Sequence, residues 1–547
     1  MLTGLVLMVY LYNYHDFTVL IVRFLNAEDK LEQFRASFLT PPKFIILRIA
    51  LLIVTTLYGL LIFFARISKV NLFIGETRKD AILVFHNLVQ EIKSLSFPEK
   101  TIAINIFIFI IGFHLFYFIR FPIFIDEAFS YVHFVSKGFL TSASYYPGPN
   151  NHVFYSELCV FINLFFDDPL LVMRLPAFLS GLALSFLFFL VLKKYLGFQI
   201  SLLSTIIFSL SEQTNFYSSQ GRGYILVTFF VFLAFYSLGQ FLFNSRRFYL
   251  LLFVVSSVLG FYTLPVFLYP FASMFLWTLF IIWKKQDRYL FFKTIALYSV
   301  IVVLFLILYL PVLLLNPADV VFGNTWVSSP ADFYNKFPEY ILHLNSFWWG
   351  DGFSLLFSLA AIAGLAWLGA KQHVTTIAAI ILLFFLPFFM IFIQKVLPFE
   401  RVWLYYLLFL SAGLAYFIIK LIGLLAGNTL SQKVTGIACI IITLGFYTLL
   451  NYRILERKTF SYYTELDQFL ARIDSLHVKN IQASDPEYNT FIRLHSMEKN
   501  TSLKIVSGQD AMTKPDLMVT PKDQPLQDST YFFLFHNSYI NAYKRRD

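Results

Sequence analysis

Residues 101–131, TIAINIFIFIIGFHLFYFIRFPIFIDEAFSY, combine a long apolar run with a pair of acidic residues. The run from 101 to 119 is almost wholly apolar, and about 20 such residues let an α-helix cross the hydrocarbon core of a bilayer. The adjacent acids Asp126 and Glu127 follow shortly after the run ends at Arg120. A membrane span that leads directly into two carboxylates predicts polar groups placed at the bilayer surface.

The composition of the whole chain agrees with this interpretation. Of its 547 residues, 58% are hydrophobic and 14% are charged, whereas an ordinary soluble domain has about 25% charged residues. Aromatic residues make up 20% of the chain. This balance excludes a soluble enzyme and predicts an all-α polytopic membrane bundle.

Long apolar runs recur along the chain and predict about thirteen membrane helices. They lie at 1–24, 43–66, 101–120, 168–192, 198–216, 223–243, 247–264, 265–283, 289–313, 353–370, 374–394, 401–424 and 432–451. Lysine and arginine accumulate in cytoplasmic loops. Counting the spans places the following basic residues on one side: Lys69, Arg78, Lys79, Lys193, Lys194, Arg246, Arg247, Lys284, Lys285, Lys371, Lys420 and Lys433. The sequence thus predicts a multi-pass plasma (inner) membrane protein with a cytoplasmic N-terminus.

Three regions follow from this topology. Residues 1–100 hold two additional spans and an amphipathic cytoplasmic segment, and residues 101–451 form the main membrane module, with outer loops at 121–167 and 314–352. Residues 452–547 are polar, and a helical stretch at 464–476 with four short strand-like runs predicts a small extracytoplasmic α/β domain. The formal net charge of +10 belongs almost entirely to residues 1–451, which indicates lipid headgroups as partners and no nucleic acid.

Asp126 and Glu127 are the first candidates for chemistry. Adjacent carboxylates at a bilayer interface are costly unless they are solvated, paired or used. The alternative is structural, with Asp126 as the N-cap of the following helix and Glu127 in its first turn.

A second candidate group is Asn150, Asn151 and His152, which follow a Pro-Gly-Pro turn. These side chains offer several hydrogen-bond donors and acceptors to a sugar or a phosphate, as an acceptor- or sugar-binding site requires. The alternative is a turn followed by an asparagine helix cap.

A metal site is a further alternative. His133 and His152 could join Glu127 as ligands, although their spacing is not specific to any metal. No cofactor is certain from the sequence, and a divalent metal remains possible.

The third group consists of basic residues on the outer side, against the charge bias: Arg174, Arg222 and Arg401. With Lys395 and Tyr224 they would lie at the outer ends of helices, where an anionic headgroup sits and where arginine binds phosphate in bidentate geometry. The glycines on both sides of Arg222 favour phosphate binding over membrane anchoring there. Glu400 could instead neutralise Arg401.

Four stretches together resemble the GT-C superfamily of membrane glycosyltransferases. They are DEAFSY at 126–131, PNNHVFYS at 149–156, RLPAFLSGLALSFLFFLVLKKYLG at 174–197 and QGRGY at 220–224. The chain is most similar to enzymes that use polyprenyl-phosphate sugars, namely lipid A aminoarabinose transferases, lipopolysaccharide galacturonosyltransferases and protein O-mannosyltransferases. Where aminoarabinose transferases carry Lys-Pro-Pro, this chain has Asn-Asn-His.

The resemblance implies a cell-envelope enzyme that transfers a sugar, with inversion, from polyprenyl phosphate to a hydroxyl of a lipid, glycan or protein. Asp126 would be the general base, and Glu127 would orient the acceptor or the donor sugar. Arg222, and with it Arg401, would stabilise the leaving phosphate. A transporter or flippase of lipid-linked sugars is the alternative, which predicts mid-span charges and discontinuous helices. A structural or sensor protein would leave the outer acidic and basic residues unexplained.

Overall fold

The computed structural model describes most of the chain from residue 69 onward and a smaller share of the first 68 residues. The described ranges are 9–10, 12–24, 31–45, 47–49, 51–52, 55, 69–148, 150–286, 288–317, 320–321, 329–350, 352–370, 374–425, 436–438, 440–447, 458–476, 478, 480–499, 504–505, 515–528 and 530–545. Helices dominate all of these ranges up to residue 447.

The helices used below are numbered in chain order. They are α1 (Tyr14–Phe24), α2 (Lys69–Lys93), α3 (Phe97–Arg120), α4 (Ile125–His133), α5 (Phe139–Ser144), α6 (Val153–Asn163), α7 (Pro169–Leu196), α8 (Phe198–Ser209), α9 (Glu212–Ser219), α10 (Tyr224–Asn244), α11 (Arg247–Thr263), α12 (Leu268–Lys285), α13 (Arg288–Leu315), α14 (Phe333–Trp349), α15 (Ser354–Ala370), α16 (Val374–Gln394), α17 (Leu404–Leu425), α18 (Lys458–Asp474) and α19 (Pro486–Glu498).

Seven helices among the described residues are long and apolar enough to cross a membrane. They are Phe97–Arg120, Pro169–Leu196, Tyr224–Asn244, Pro265–Lys285, Arg288–Leu315, Val374–Gln394 and Glu400–Leu425. An eighth span would consist of α14 and α15 together, which meet at an angle of 85°. The chain is therefore a multi-pass membrane protein, and the predicted polytopic helical bundle is confirmed.

The sequence predicts thirteen membrane spans, which is more than the seven or eight found among the described residues. The predicted span at 198–216 is wrong as a single helix, because Ser211 caps a new helix: its hydroxyl accepts a hydrogen bond from the backbone N–H of Thr214 at 3.3 Å. The span predicted at 247–264 is the shorter apolar helix α11. The spans predicted at 1–24, 43–66 and 432–451 lie partly outside the described residues.

Helix α7 runs between the two polar ends of the bundle. Its 28 residues correspond to a length of about 42 Å. Near its C-terminal end, Lys193 donates a hydrogen bond to Glu91 on α2, 2.8 Å away, and Arg247 pairs with Glu76 on the same helix at 2.7 Å. A helix therefore lies where the sequence predicts an amphipathic segment, at the opposite end of α7 from Arg174.

The C-terminal region forms a small mixed α/β domain, as predicted. The described part of this domain has five strands, β1 (Asn480–Ala483), β2 (Lys504–Ile505), β3 (Leu517–Pro521), β4 (Tyr531–His536) and β5 (Ile540–Arg545), arranged in the order β2-β1-β3-β5-β4. β1 is parallel to β2 and β3, whereas β5 is antiparallel to β3 and β4. Helix α19, which the sequence analysis missed, packs against α4 of the membrane module.

Candidate active site

Helix α4 presents the acidic pair in its first turn. The N-cap of this helix is Phe124, so the alternative in which Asp126 caps the helix is wrong. Glu127 occupies the third position and its Oε2 accepts a hydrogen bond from the backbone N–H of Phe124 at 3.0 Å, which is one half of a capping box. The positive end of the helix dipole also favours both carboxylates here.

Glu127 is fully buried and fully hydrogen-bonded. Its two oxygens accept hydrogen bonds from Nε and Nη2 of Arg174, each at 2.9 Å, in a bidentate ion pair. The backbone N–H of Gly221 donates to Oε1 at 2.6 Å. With the bond from Phe124, four protein donors surround this carboxylate. These contacts favour a positioning role for Glu127 over contact with a sugar.

Arg174 is completed by backbone carbonyls. Its Nη1 donates to the carbonyls of Phe118 and Phe121 at 2.8 Å, and Nη2 donates to that of Pro122 at 2.7 Å. The side chain is buried at the N-terminal end of α7 and holds the end of α3 in place. The expectation that Arg174 presents its guanidinium to a lipid phosphate is therefore wrong, because the protein itself uses its donors.

Asp126 has a different environment from its neighbour. Its side chain is 30% exposed and faces two arginines that come from distant parts of the sequence. Oδ2 lies 4.0 Å from Nε of Arg222 and 3.7 Å from Nη1 of Arg401. The structure thus brings together three of the predicted site residues around one partly open position.

Arg222 is buried between α4 and the loop before α6. Its Nη1 donates to the hydroxyl of Ser130 at 3.1 Å and to the carbonyl of Asn150 at 2.8 Å. Its Nε is buried and has no hydrogen-bond acceptor among the described residues. The next residue, Gly223, packs closely against Thr263. A Cβ at this position would lie 2.8 Å from Cγ2 of Thr263, so a larger residue would not fit.

His152 lies beside Arg222 as a neutral imidazole. Burial lowers its pKa well below the usual value, and the charges of Arg222 and Arg401 lower it further. Its Nδ1 accepts a hydrogen bond from the backbone N–H of Gly223 at 2.8 Å. Its Nε2 lies 3.2 Å from Nη2 of Arg222, and a guanidinium can only donate. Both ring nitrogens therefore face donors of the protein itself.

The two asparagines differ in their contacts. Asn151 is buried, and its Nδ2 donates to the carbonyls of Ser142 and Tyr145 at 2.8 and 2.9 Å, while its Oδ1 accepts from Ser156. Asn151 therefore shapes the loop. Asn150 gives its carbonyl to Arg222. The alternative of an asparagine helix cap is wrong, because His152 is the N-cap of α6.

Arg401 reaches the site from the short 3-10 turn before α17. Its guanidinium lies 5.3 Å from the ring centre of Tyr224 and 4.5 Å from that of Phe399, in cation-π range. Its Nε is buried without an acceptor among the described residues. The carboxylate of Glu400 lies 3.4 Å from Nε2 of His343.

Tyr224 lies between the basic groups and a second aromatic residue, Tyr217. Its ring meets His152 edge to face at 4.8 Å between ring centres, and Tyr217 at 5.2 Å. Tyr217 and Ser130 line the site and were missed by the sequence analysis. Ser130 lies one helical turn after Asp126, a spacing that could have identified it.

The predicted metal ligands do not converge. The described residues contain no group of three or more His, Cys, Asp or Glu side chains arranged to hold a metal ion. Glu127 is paired with Arg174, and the ring of His133 packs against that of Phe129 in a tilted arrangement, with 4.3 Å between ring centres. Burial lowers the pKa of His133 to about 4, with Arg493 and Lys137 contributing.

A bundle of membrane helices with an appended α/β domain is the architecture that the sequence predicts. Two crystal structures of ArnT from Cupriavidus metallidurans are similar to the chain. The structure bound to undecaprenyl phosphate has a TM-score of 0.51 and 12% sequence identity, and the match covers 80% of this chain and 97% of ArnT. The apo structure has a TM-score of 0.50 and 11% identity, with 81% and 98% covered. At these identities the likeness establishes the fold. No protein-family model and no curated protein sequence matches the chain.

Proposed function

We propose that the chain is an inverting glycosyltransferase that moves a sugar from polyprenyl phosphate to a hydroxyl of a lipid, glycan or protein. The observation that carries this proposal is the convergence of Arg222 and Arg401 on Asp126, with one buried Nε on each arginine that has no partner among the described residues. The fold it shares with ArnT, one of whose structures holds undecaprenyl phosphate, supports a polyprenyl-phosphate donor.

Asp126 is the general base of this reaction. The acceptor hydroxyl oxygen attacks the anomeric carbon from the face opposite the phosphate, and its proton passes to the carboxylate of Asp126. The bond between the anomeric carbon and the phosphate oxygen breaks, and polyprenyl phosphate leaves with the electron pair. The partial exposure of Asp126 gives an acceptor access, whereas Glu127 is closed off by Arg174.

Arg222 and Arg401 stabilise the leaving phosphate. Negative charge develops on its bridging oxygen as the glycosidic bond breaks, and two fixed guanidinium groups are already in place. Loss of one such preorganised contact typically slows turnover by ~100- to 1000-fold. The ring of Tyr224 contacts the guanidinium of Arg401, which helps to hold that charge in place.

The membrane location follows from the donor. A polyprenyl chain keeps its sugar at the bilayer surface, so an enzyme with its site at the ends of apolar helices receives the donor laterally. In this proposal the site, the loop that carries Asn150, and the C-terminal domain face the extracytoplasmic side of the plasma membrane. The N-terminus and α2 then lie in the cytoplasm.

A flippase of lipid-linked sugars is the second candidate, and the bend of 85° between α14 and α15 is the feature that favours it. Discontinuous helices occur at the substrate sites of transporters. The charged constellation, however, lies at helix ends, where surface chemistry occurs. A liposome assay for transbilayer movement of the donor separates the two functions.

Incubation of the purified protein with a panel of polyprenyl-phosphate sugars and a glycolipid extract tests the transferase function. Mass spectrometry measures free polyprenyl phosphate and the glycosylated product. We expect release by the wild type and none by Asp126→Asn. Asp332→Asn, a surface carboxylate paired with Lys336 at 3.2 Å, is the matched control and retains turnover. Equal turnover by Asp126→Asn would exclude Asp126 as the base.

A further inference from the structure

Asp126 is attracted by two arginines but makes no close hydrogen bond to either. Its Oδ2 lies 4.0 Å from Nε of Arg222 and 3.7 Å from Nη1 of Arg401. A hydrogen bond between a charged N–H donor and a carboxylate is shorter, at about 2.7–2.9 Å. The space between the three groups is therefore wider than the carboxylate fills.

Each arginine also has a donor that makes no hydrogen bond to the described residues. Nε of Arg222 and Nε of Arg401 are buried and have no acceptor among the described residues, and Arg222 as a whole is 2% exposed. A buried donor without an acceptor is costly, so native proteins rarely keep one unless water, an ion or a ligand satisfies it. Two arginines with such donors beside one carboxylate indicate a site for a second, larger anion.

The two anions would compete for the same place. Nε of Arg222 is the atom of that guanidinium that lies nearest to Asp126. A phosphate oxygen between this Nε and Asp126, at hydrogen-bond length from Nε, would lie closer to Oδ2 than two non-bonded oxygens can approach, because Oδ2 is only 4.0 Å from Nε. The two negative charges also repel each other at that distance.

We infer that Asp126 occupies the donor-phosphate site when no donor is bound, and that the phosphate of the donor displaces it from both arginines. This inference rests on the proposed function and adds to it the order in which the two substrates bind. The carboxylate turns to the acceptor hydroxyl only after the donor is in place, because until then Oδ2 faces the two guanidinium groups. The donor therefore binds before the acceptor.

The inference makes an unusual prediction about the inactive variants. Removing the proposed base should tighten the binding of the donor's phosphate group, because the competing anion is lost. The probe is undecaprenyl phosphate without a sugar, titrated into the purified full-length protein in detergent and followed by native mass spectrometry. We expect Asp126→Asn and Asp126→Ala to bind it about tenfold more tightly than the wild type, which corresponds to ~1.4 kcal/mol. The alanine variant shows that a new amide donor is not the cause.

Glu487→Gln is the matched control, since it removes a neighbouring negative charge without touching either arginine's ion pair. Glu487 lies on α19, near enough to Asp126 for that charge to contribute to raising its pKa, after burial and Asp485. We expect its affinity for undecaprenyl phosphate to change less than about twofold, since pairs of exposed charges interact weakly. In an Arg401→Gln background, the gain from Asp126→Ala should shrink, because one of the two contested cations is missing.

Three results would contradict the inference in different ways. If the wild type binds undecaprenyl phosphate and both Asp126 variants bind it equally or more weakly, the displacement is wrong and the donor class stands. If Glu487→Gln gains as much as Asp126→Ala, general charge and not competition for the arginines is responsible. If no variant and no wild type binds the lipid, the polyprenyl-phosphate donor of the proposed function fails as well.

Discussion

Asp126 and Glu127 are neighbours in sequence and have opposite environments. Successive side chains on an α-helix point about 100° apart, so one turn of α4 can direct one carboxylate inward and the other toward an opening. Glu127 meets Arg174 in the interior, and Asp126 meets Arg222 and Arg401 at the open side. Adjacency in the sequence therefore does not imply a shared role.

The sequence identifies the pair but not this division. The partner of Glu127 lies 47 residues away, and that of Arg222 at Ser130 lies 92 residues away. Residue type and local context indicate charge at a membrane boundary, whereas the burial of Glu127 and Arg174 depends on how α4 and α7 pack. For the same reason the sequence grouped Arg174 with the phosphate ligands.

Glu127→Gln is expected to destabilise the protein strongly. It leaves the guanidinium of Arg174 buried without its counter-ion, and breaking one partner of a buried ion pair typically costs about 3–5 kcal/mol. Thermal unfolding followed by size-exclusion chromatography in detergent should show a much lower Tm for the variant, or no monodisperse peak.

Asp126→Asn is the comparison for that experiment. It also replaces a carboxylate by its amide, and it does so at the neighbouring position. Its side chain is partly exposed and its ion pairs are long, so its Tm should stay close to that of the wild type. Equal Tm values for the two variants would show that the Glu127–Arg174 pair is not the structural centre of this region.

At the scale of elements, the crossing of α15 and α17 depends on two glycines. A Cβ at Gly364 would collide with the backbone carbonyl oxygen of Gly413, and a Cβ at Gly413 would collide with that of Ala361. Small residues let membrane helices approach at backbone distance. Helix α17 directly follows the turn that carries Arg401, so this crossing also fixes one side of the site.

Gly364→Ala should therefore separate α15 from α17. Overpacking at a tight contact typically costs about 1–3 kcal/mol, and here the obstacle is backbone that cannot rotate away. We expect a lower Tm and weaker sugar transfer, because Arg401 moves with α17. Gly112→Ala on α3 is the control, since its Cβ would meet nothing within 4 Å. If both variants have the wild-type Tm, the contact is not tight in the membrane.

Elements were predictable where composition alone defines them. Seven predicted spans appear as long apolar helices because about 20 apolar residues have few alternatives in a bilayer. The break before Ser211 was not predicted, since a single serine in a hydrophobic run signals a cap only once the chain around it is placed. Likewise, β5 and α19 are too short and too polar to stand out in the C-terminal tail.

At the scale of the whole molecule, the C-terminal domain belongs to the site region. Helix α19 packs against α4, the helix that carries Asp126 and Glu127. Asp474 on α18 pairs with His495 on α19 at 2.9 Å, which fixes α19 within its own domain. The sequence predicts an α/β tail but not its docking, because the two packed helices are separated by more than three hundred residues of chain.

The docking of α19 on α4 can be tested through the titration of His133. Burial is the main reason that the pKa of His133 is lowered to about 4, and the charge of Arg493 on α19 lowers it further. Arg493→Glu removes a positive charge and adds a negative one, both of which favour the protonated ring, so the pKa of His133 should rise. Diethylpyrocarbonate labels only neutral imidazole, and mass spectrometry of the His133 peptide across pH gives the midpoint. Lys522→Glu, the same charge change in the turn after β3 of that domain, should leave the midpoint unchanged. An unshifted midpoint in Arg493→Glu would mean that the domain does not rest on the Asp126 helix in the membrane-embedded protein.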